Sequence, residues 1–83
     1  MVEQSLDLAD EATLNAQIST AIRTQRLRLG LSQRQLERAL GMAESTFSRY
    51  ESGQRSVSAA MLCRIAVVLN LPPSAFLPQE RLL

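Results

Sequence analysis

Apolar residues recur at helical spacing along most of this chain, and the runs they form end on glycine, asparagine or proline. Leu14, Ile18, Ile22, Gln25 and Leu29 mark the inner face of a first helix over residues 11–29, with Asp10 or Thr13 near its start and Gly30 at its end. Gln25 is an odd occupant of that face. A second helix opens at Ser32, where Gln35 completes the Ser-x-x-Gln form of a capping box, and Leu36, Ala39 and Leu40 fall inward. Gly41 suits a sharp turn into a third helix. There Ala43, Phe47 and Tyr50 share one side at about 100° per residue, and Gly53 is the stop. After a loop over 54–57, a fourth helix runs over 58–69, with Ser58 as N-cap and Asn70 in the left-handed position past its end. Pro72 and Pro73 restart the chain into a short fifth helix over 73–78. The β-branched residues do not alternate with polar ones, so the fold class is all-α.

The outer side of the third helix is unusual. It carries Glu44, Ser45, Ser48, Arg49 and Ser52, mostly short hydroxyls where a solvated face normally holds long charged residues. Short hydroxyls let a helix approach another surface closely, and an Arg can read a guanine edge with a bidentate pair. Residues 32–53 therefore read as a helix-turn-helix whose second helix enters the DNA major groove.

Net charge alone says little, because the chain of 83 residues is only +1. Its distribution is sharper. Residues 1–22 hold Glu3, Asp7, Asp10 and Glu11 and no base, whereas residues 23–64 hold eight Arg against three Glu. The basic block coincides with the two-helix motif. Lys is absent; either the forked hydrogen bonds of Arg to phosphate and guanine or the codon bias of a GC-rich genome accounts for that. The length fits one domain with a marginal core. A single Cys allows no internal disulfide. The longest apolar run, Ile65 to Leu69, is far too short to span a bilayer. The acidic N-terminus has no signal-peptide pattern, so a cytoplasmic location is expected.

The fourth helix carries more than one apolar side. Leu62, Ile65, Ala66 and Leu69 make a core stripe, Ala60, Cys63 and Val67 lie elsewhere, and Met61 and Val68 on a third side. Such a helix is covered on more than one side, by the fifth helix and tail or by another subunit. Leu71, Phe76, Leu77, Leu82 and Leu83 add more apolar surface than one small domain readily buries. A homodimer built on the fifth helix and the C-terminal residues is the favoured expectation.

The ordered set Ile22, Arg26, Gly30-Leu31-Ser32-Gln33, Leu36, Gly41 and Ser48-Arg49-Tyr50-Glu51-Ser52-Gly53 resembles the Cro/C1-type (Xre-type) helix-turn-helix family of phage repressors and bacterial regulators. Leu62, Ile65-Ala66 and Leu69 match its fourth helix and Phe76-Leu77 its fifth, so the likeness covers residues 22–77. It implies a compact five-helix, lambda-repressor-like bundle that binds double-stranded operator DNA as a dimer. By this likeness Glu44, Ser45, Ser48 and Arg49 face bases or flanking phosphates. Ser32 and Gln33 hold a phosphate at the start of the second helix, where a helix N-terminus favours an anion; Ser32 also reads as a plain N-cap. Ser52 lies beside the DNA backbone, and Arg34 and Arg55 are further phosphate partners, whereas Arg38 only solvates. Arg26 and Glu51 form a partly buried, structural salt bridge between the first and third helices.

Three residues depart from the family pattern. Ala43 replaces the usual Ser or Thr cap of the third helix, Glu44 a common Gln at a base-reading position, and Val57 a frequent Pro. Glu44 repels phosphate and can accept from cytosine N4, which either shifts recognition toward C·G pairs or weakens binding.

The chain divides into an acidic, flexible arm at 1–10, the helix-turn-helix domain at 11–78, and a tail at 79–83 that serves as a dimer contact. An enzyme is the poorest alternative: there is no His, no Gly-rich phosphate loop and no paired carboxylates. Cys63 sits in an apolar helix without a His and reads as a buried or interface thiol. No metal set, cofactor or small-molecule ligand is evident. The expectation is a transcriptional regulator, a repressor acting as a homodimer on a palindromic operator. The family also includes antitoxins, so an antitoxin-type protein that binds a toxin partner as well as DNA is the alternative.

Overall fold

Each helix starts where a polar side chain or an extended residue breaks the preceding coil, and all but one end on a left-handed residue. The computed structural model describes residues 10–78. The acidic arm except Asp10 and the tail with Leu82 and Leu83 lie outside the described residues. Four α-helices and one 3-10 turn are present there: α1 (Glu11–Arg28), α2 (Gln33–Leu40), α3 (Thr46–Ser52), α4 (Ala59–Leu69) and a terminal 3-10 turn (Pro73–Phe76). No strand occurs among the described residues. The fifth helix expected over 73–78 is thus a single 3-10 turn. Pro72 and Pro73 offer no N–H donors, and Leu77 is already extended at φ −98°, ψ 152°.

Asp10 stands in the N-cap position of α1 and accepts from Thr13 Oγ1 at 2.9 Å. The buried face of α1 is Ser19, Ile22 and Arg26, with Ile18 partly buried beside them. This corrects the expected stripe, since Gln25 is only half-buried and Leu29 is 49% exposed. Helix α1 stops at Arg28, and the left-handed Gly30 carries Leu29 off the face. Hydrophobic periodicity could not reveal that two of the three inward residues are polar.

Helix α2 has the full reciprocal capping box. Ser32 Oγ accepts from the Gln35 N–H at 3.0 Å, and Gln35 Oε1 accepts from the Ser32 N–H at 2.7 Å. Leu36, Glu37 and Leu40 are buried, while Ala39, expected inside, faces outward. Gly41, at φ 68°, closes the helix, and the Met42 N–H returns to the Glu37 carbonyl at 2.8 Å. The chain then turns through 42–45 before α3 begins. Ala43 is therefore an exposed turn residue, not the helix cap.

Helix α3 is a seven-residue segment whose Phe47 and Tyr50 are buried edge to face, with ring centroids 6.1 Å apart. It packs against α1 and α2; α2 also packs against α4, and the terminal turn against α1 and α4. Ser58 Oγ caps α4 by accepting from the Met61 N–H at 3.1 Å, and Asn70 ends it at φ 58°. Leu62, Ile65, Ala66 and Leu69 enter the core as their spacing requires. Arg64 reaches across to α2, where its Nη2 donates to the last helical carbonyl, Leu40, at 2.8 Å. Val67 remains 78% exposed, and Cys63 and Val68 are exposed as well.

Phe76 closes the bottom of the core and is fully buried. Its ring therefore belongs to the protomer's own interior, and the expected dimer contact at this residue is corrected. Replacing it with Ala removes an aromatic from a site that a short turn cannot collapse to fill. The expected loss is about 3–5 kcal/mol, read as a lower midpoint in urea unfolding.

Candidate nucleic-acid interface

The candidate surface starts from a seven-residue helix that cannot hold itself. So short a segment is not stable in water on its own, so its direction depends on what grips it. Glu51 provides the grip at its C-terminal end. Arg26 Nε donates to Glu51 Oε2 at 2.6 Å and Nη2 to Oε1 at 3.0 Å, a forked ion pair with side chains only 9% and 4% exposed. Arg26 Nη1 also donates to the Leu31 carbonyl at 2.8 Å, which fixes the loop between α1 and α2. Gln33 Nε2 donates to Glu51 Oε1 at 2.9 Å. Gln33, expected only as a phosphate contact, thus has a structural partner too, while its second amide hydrogen remains available for an anion.

The N-terminal end of α3 is held differently. Ser45 occupies the cap position in the left-handed conformation, φ 74°, and its side chain makes no cap hydrogen bond. The Phe47 N–H is taken instead by Glu37 Oε2 from α2, at 2.9 Å and fully buried. The other Glu37 oxygen meets Arg34 Nη1 at 3.3 Å. Sequence reading passed over Glu37. The available signal was its register, because position 37 shares the inward side of α2 with Leu36 and Leu40.

Between these two grips, α3 presents its polar side. Glu44, Ser45, Arg49 and Ser52 are exposed and Ser48 is half-buried. Ser48 Oγ donates to the Ser45 carbonyl at 3.0 Å and Ser52 Oγ to the Arg49 carbonyl at 3.2 Å. Ser52 Oγ also accepts from the Gln54 N–H at 3.4 Å, whereas the Ser48 hydroxyl, its hydrogen turned to the backbone, keeps lone pairs that can accept from a donor. The Arg49 guanidinium makes no ion pair among the described residues. Arg55 lies in the loop past α3, its Cζ 5.9 Å from the Tyr50 ring centroid, which steadies it at the rim. Ser32 is exposed at the start of α2, its Oγ engaged with the Gln35 N–H. Arg34 is 44% exposed beside it.

A polar cleft of about 240 Å³ runs between these elements, lined by Arg23, Arg26, Gln33, Ser48, Glu51 and Ser52. It brings Gln33, Ser48 and Ser52 together and adds Arg23, which sequence reading had not singled out. Arg23 sits one turn before Arg26 on α1, and that i, i+3 spacing was its signal. Burial also sharpens the charge. Of the eight arginines between 23 and 64 only Arg26 is buried, whereas the Glu37 and Glu51 side chains are buried and Glu44 is the one exposed glutamate. The other expected dimer residues stand apart from this surface: Leu71 is half-buried and Leu77 is 43% exposed at the far end of the chain.

Two linked helices, the second presenting hydroxyls and Arg49 on its outer side, define a helix-turn-helix DNA-binding domain. The chain belongs to that family: a model described as "Helix-turn-helix domain" matches residues 17–76, and its relationship is to the Cro/C1-type (Xre-type) branch. It is 35% identical over 63 residues to uncharacterized HTH-type transcriptional regulators of Sinorhizobium medicae (strain WSM419) and Rhizobium meliloti (strain 1021). Those matches cover 76% of this chain and 45% of each relative, so the chain spans about half the length of the curated relatives it matches. Among solved structures, the restriction-modification controller protein C.AhdI from Aeromonas hydrophila is similar at 30% identity and TM-score 0.69, over 74% of this chain and 92% of that one. The DNA-binding domain of BldD shares the fold at TM-score 0.74 and 24% identity, over 83% of this chain and all of that one. A hypothetical transcription factor from Neisseria matches at TM-score 0.74 and 25% identity, over 84% of this chain and 82% of that one. No helix among the described residues is long and apolar enough to cross a membrane.

The buried ion pair makes a direct prediction. Glu51→Ala strands the Arg26 guanidinium and lowers stability by about 3–5 kcal/mol. The double variant Arg26→Met, Glu51→Leu removes both charges and recovers most of the loss, as measured by urea unfolding. An unchanged Glu51→Ala midpoint refutes the structural role.

Proposed function

We propose that this chain is a sequence-specific transcriptional regulator, a repressor that binds a palindromic operator as a homodimer. The observation that carries the reading is the exposed Arg49, without an ion pair among the described residues, on an α3 held at both ends by buried carboxylates. Each subunit lays α3 in a major groove, with half-sites about one helical turn, roughly 34–36 Å, apart. Arg49 is assigned to a base edge, with Ser45 and Ser48 beside it and Glu44 biasing the neighbouring position toward cytosine. Gln33, Arg34 and Arg55 are assigned to phosphates, with Ser32 and Ser52 at the same backbone. Arg23 joins them at the mouth of the polar cleft.

The dimer reading rests on apolar side chains left exposed on α4 and after the terminal turn. Cys63, Val67 and Val68 on the outer side of α4 and Leu77 after the terminal turn are exposed. Leu71 stands half-buried near them in sequence, and Leu82 and Leu83 complete the proposed contact from outside the described residues. A monomer in sedimentation equilibrium at micromolar concentrations overturns this part.

Selection of sites from random duplex DNA tests the whole proposal, because it reads binding, half-site spacing and base preference together. On the selected site, Arg49→Ala is expected to weaken specific binding by about 1–3 kcal/mol while affinity for random duplex changes much less. Equal losses on both DNAs reduce Arg49 to a phosphate contact. Arg34→Ala is expected to weaken both alike and to flatten the log–log salt dependence by about one unit.

A further inference from the structure

Glu37 is engaged twice, once through its backbone and once through its side chain, at the two ends of the turn between the paired helices. Its carbonyl accepts from the Met42 N–H at 2.8 Å, which closes α2. Its carboxylate accepts from the Phe47 N–H at 2.9 Å, which opens α3. The residue is 2% exposed. A buried carboxylate is costly unless its oxygens find donors. Here they find an amide at a helix N-terminus, where a negative charge is favoured, and the Arg34 guanidinium at 3.3 Å. Local sequence offers α3 no substitute, because Ser45 is left-handed and its side chain does not cap.

We infer that Glu37 is a specificity-determining positioning residue: by capping α3 from α2, it sets the angle at which Arg49 meets the base edges. The inference rests on the DNA-reading role proposed for α3 and adds a residue that never touches DNA. A bidentate base contact is directional and tolerates little rotation, whereas phosphate contacts tolerate more. Loosening the entry end of α3 therefore costs operator preference before it costs general DNA affinity. Arg34 couples the same carboxylate to the surface, so a phosphate held by Arg34 and the start of α3 are fixed relative to each other.

The test compares Glu37→Gln and Glu37→Met with the wild-type chain. Gln keeps a carbonyl oxygen for the Phe47 N–H; Met fills the same space and offers none. Binding to the selected operator and to random duplex is measured together with amide hydrogen exchange at Phe47. The Met variant is expected to exchange faster at Phe47 and to lose roughly tenfold in operator preference, with random-duplex affinity little changed. The Gln variant is expected to stay within about threefold of wild type. Should circular dichroism show the Met variant unfolded, Glu37→Asp replaces it, since it keeps the charge but falls one methylene short of Phe47, and the same loss is expected. Native operator preference in the Met or Asp variant overturns the inference, as does a Gln variant damaged as badly as Met. If wild type binds no duplex at all, the regulator reading falls, and Phe47 exchange alone then decides whether Glu37 positions α3.

Discussion

The Glu51 carboxylate is the point on which the helix-turn-helix half of the molecule depends. It receives three hydrogen bonds, two from Arg26 on α1 and one from Gln33 at the start of α2. Arg26 spends its remaining reach on the Leu31 carbonyl in the intervening loop. One buried carboxylate thus holds three helices and a loop in register. Only a planar, forked cation serves here; a Lys ammonium in place of Arg26 would meet the carboxylate as a point charge and leave the fork geometry unfilled. Because both charges are buried, the network is stable only while every member is present.

Other polar clasps share this logic. Glu37 joins α2 to the start of α3, and Arg64 joins α4 to the end of α2. Each places a charged side chain on backbone groups at a helix end, where the orphan donors and acceptors of short helices collect. The apolar core around Ile22, Phe47, Ile65 and Phe76 supplies burial without direction. Helices of seven and eight residues slide readily over such a surface. The clasps remove that freedom and give the second helix of the motif one orientation.

Burial also shapes the surface electrostatics. Glu37 and Glu51 are withdrawn into the interior, so the basic stretch faces solvent with Glu44 as its exposed acid. The modest overall charge conceals seven exposed arginines between residues 23 and 64, an excess of positive charge of the kind that steers a protein toward a polyanion. Membership of the helix-turn-helix family agrees with a DNA partner. The exposed acid at Glu44 is what distinguishes this surface from a uniformly basic one.

Helix content, the capping box at Ser32, the stops at Gly41, Gly53 and Asn70, and the core stripe of α4 were legible in the sequence, because each follows from local backbone preference or from periodicity. The family pattern also placed Arg26 opposite Glu51. What the sequence could not show is anything set by a distant partner. Ser45 is left-handed, so α3 starts later than its pattern indicated, and the cap comes from Glu37, ten residues earlier on another helix. Gln33 faces Glu51, Phe76 fills the protomer's core, and two of the three buried residues of α1 are polar, all because of what packs against them. Short-range preference determined where the helices lie along the chain. Only the tertiary structure decided which polar groups are withdrawn to hold α3 and which remain exposed on its outer side, since that choice depends on donors and acceptors far apart in sequence.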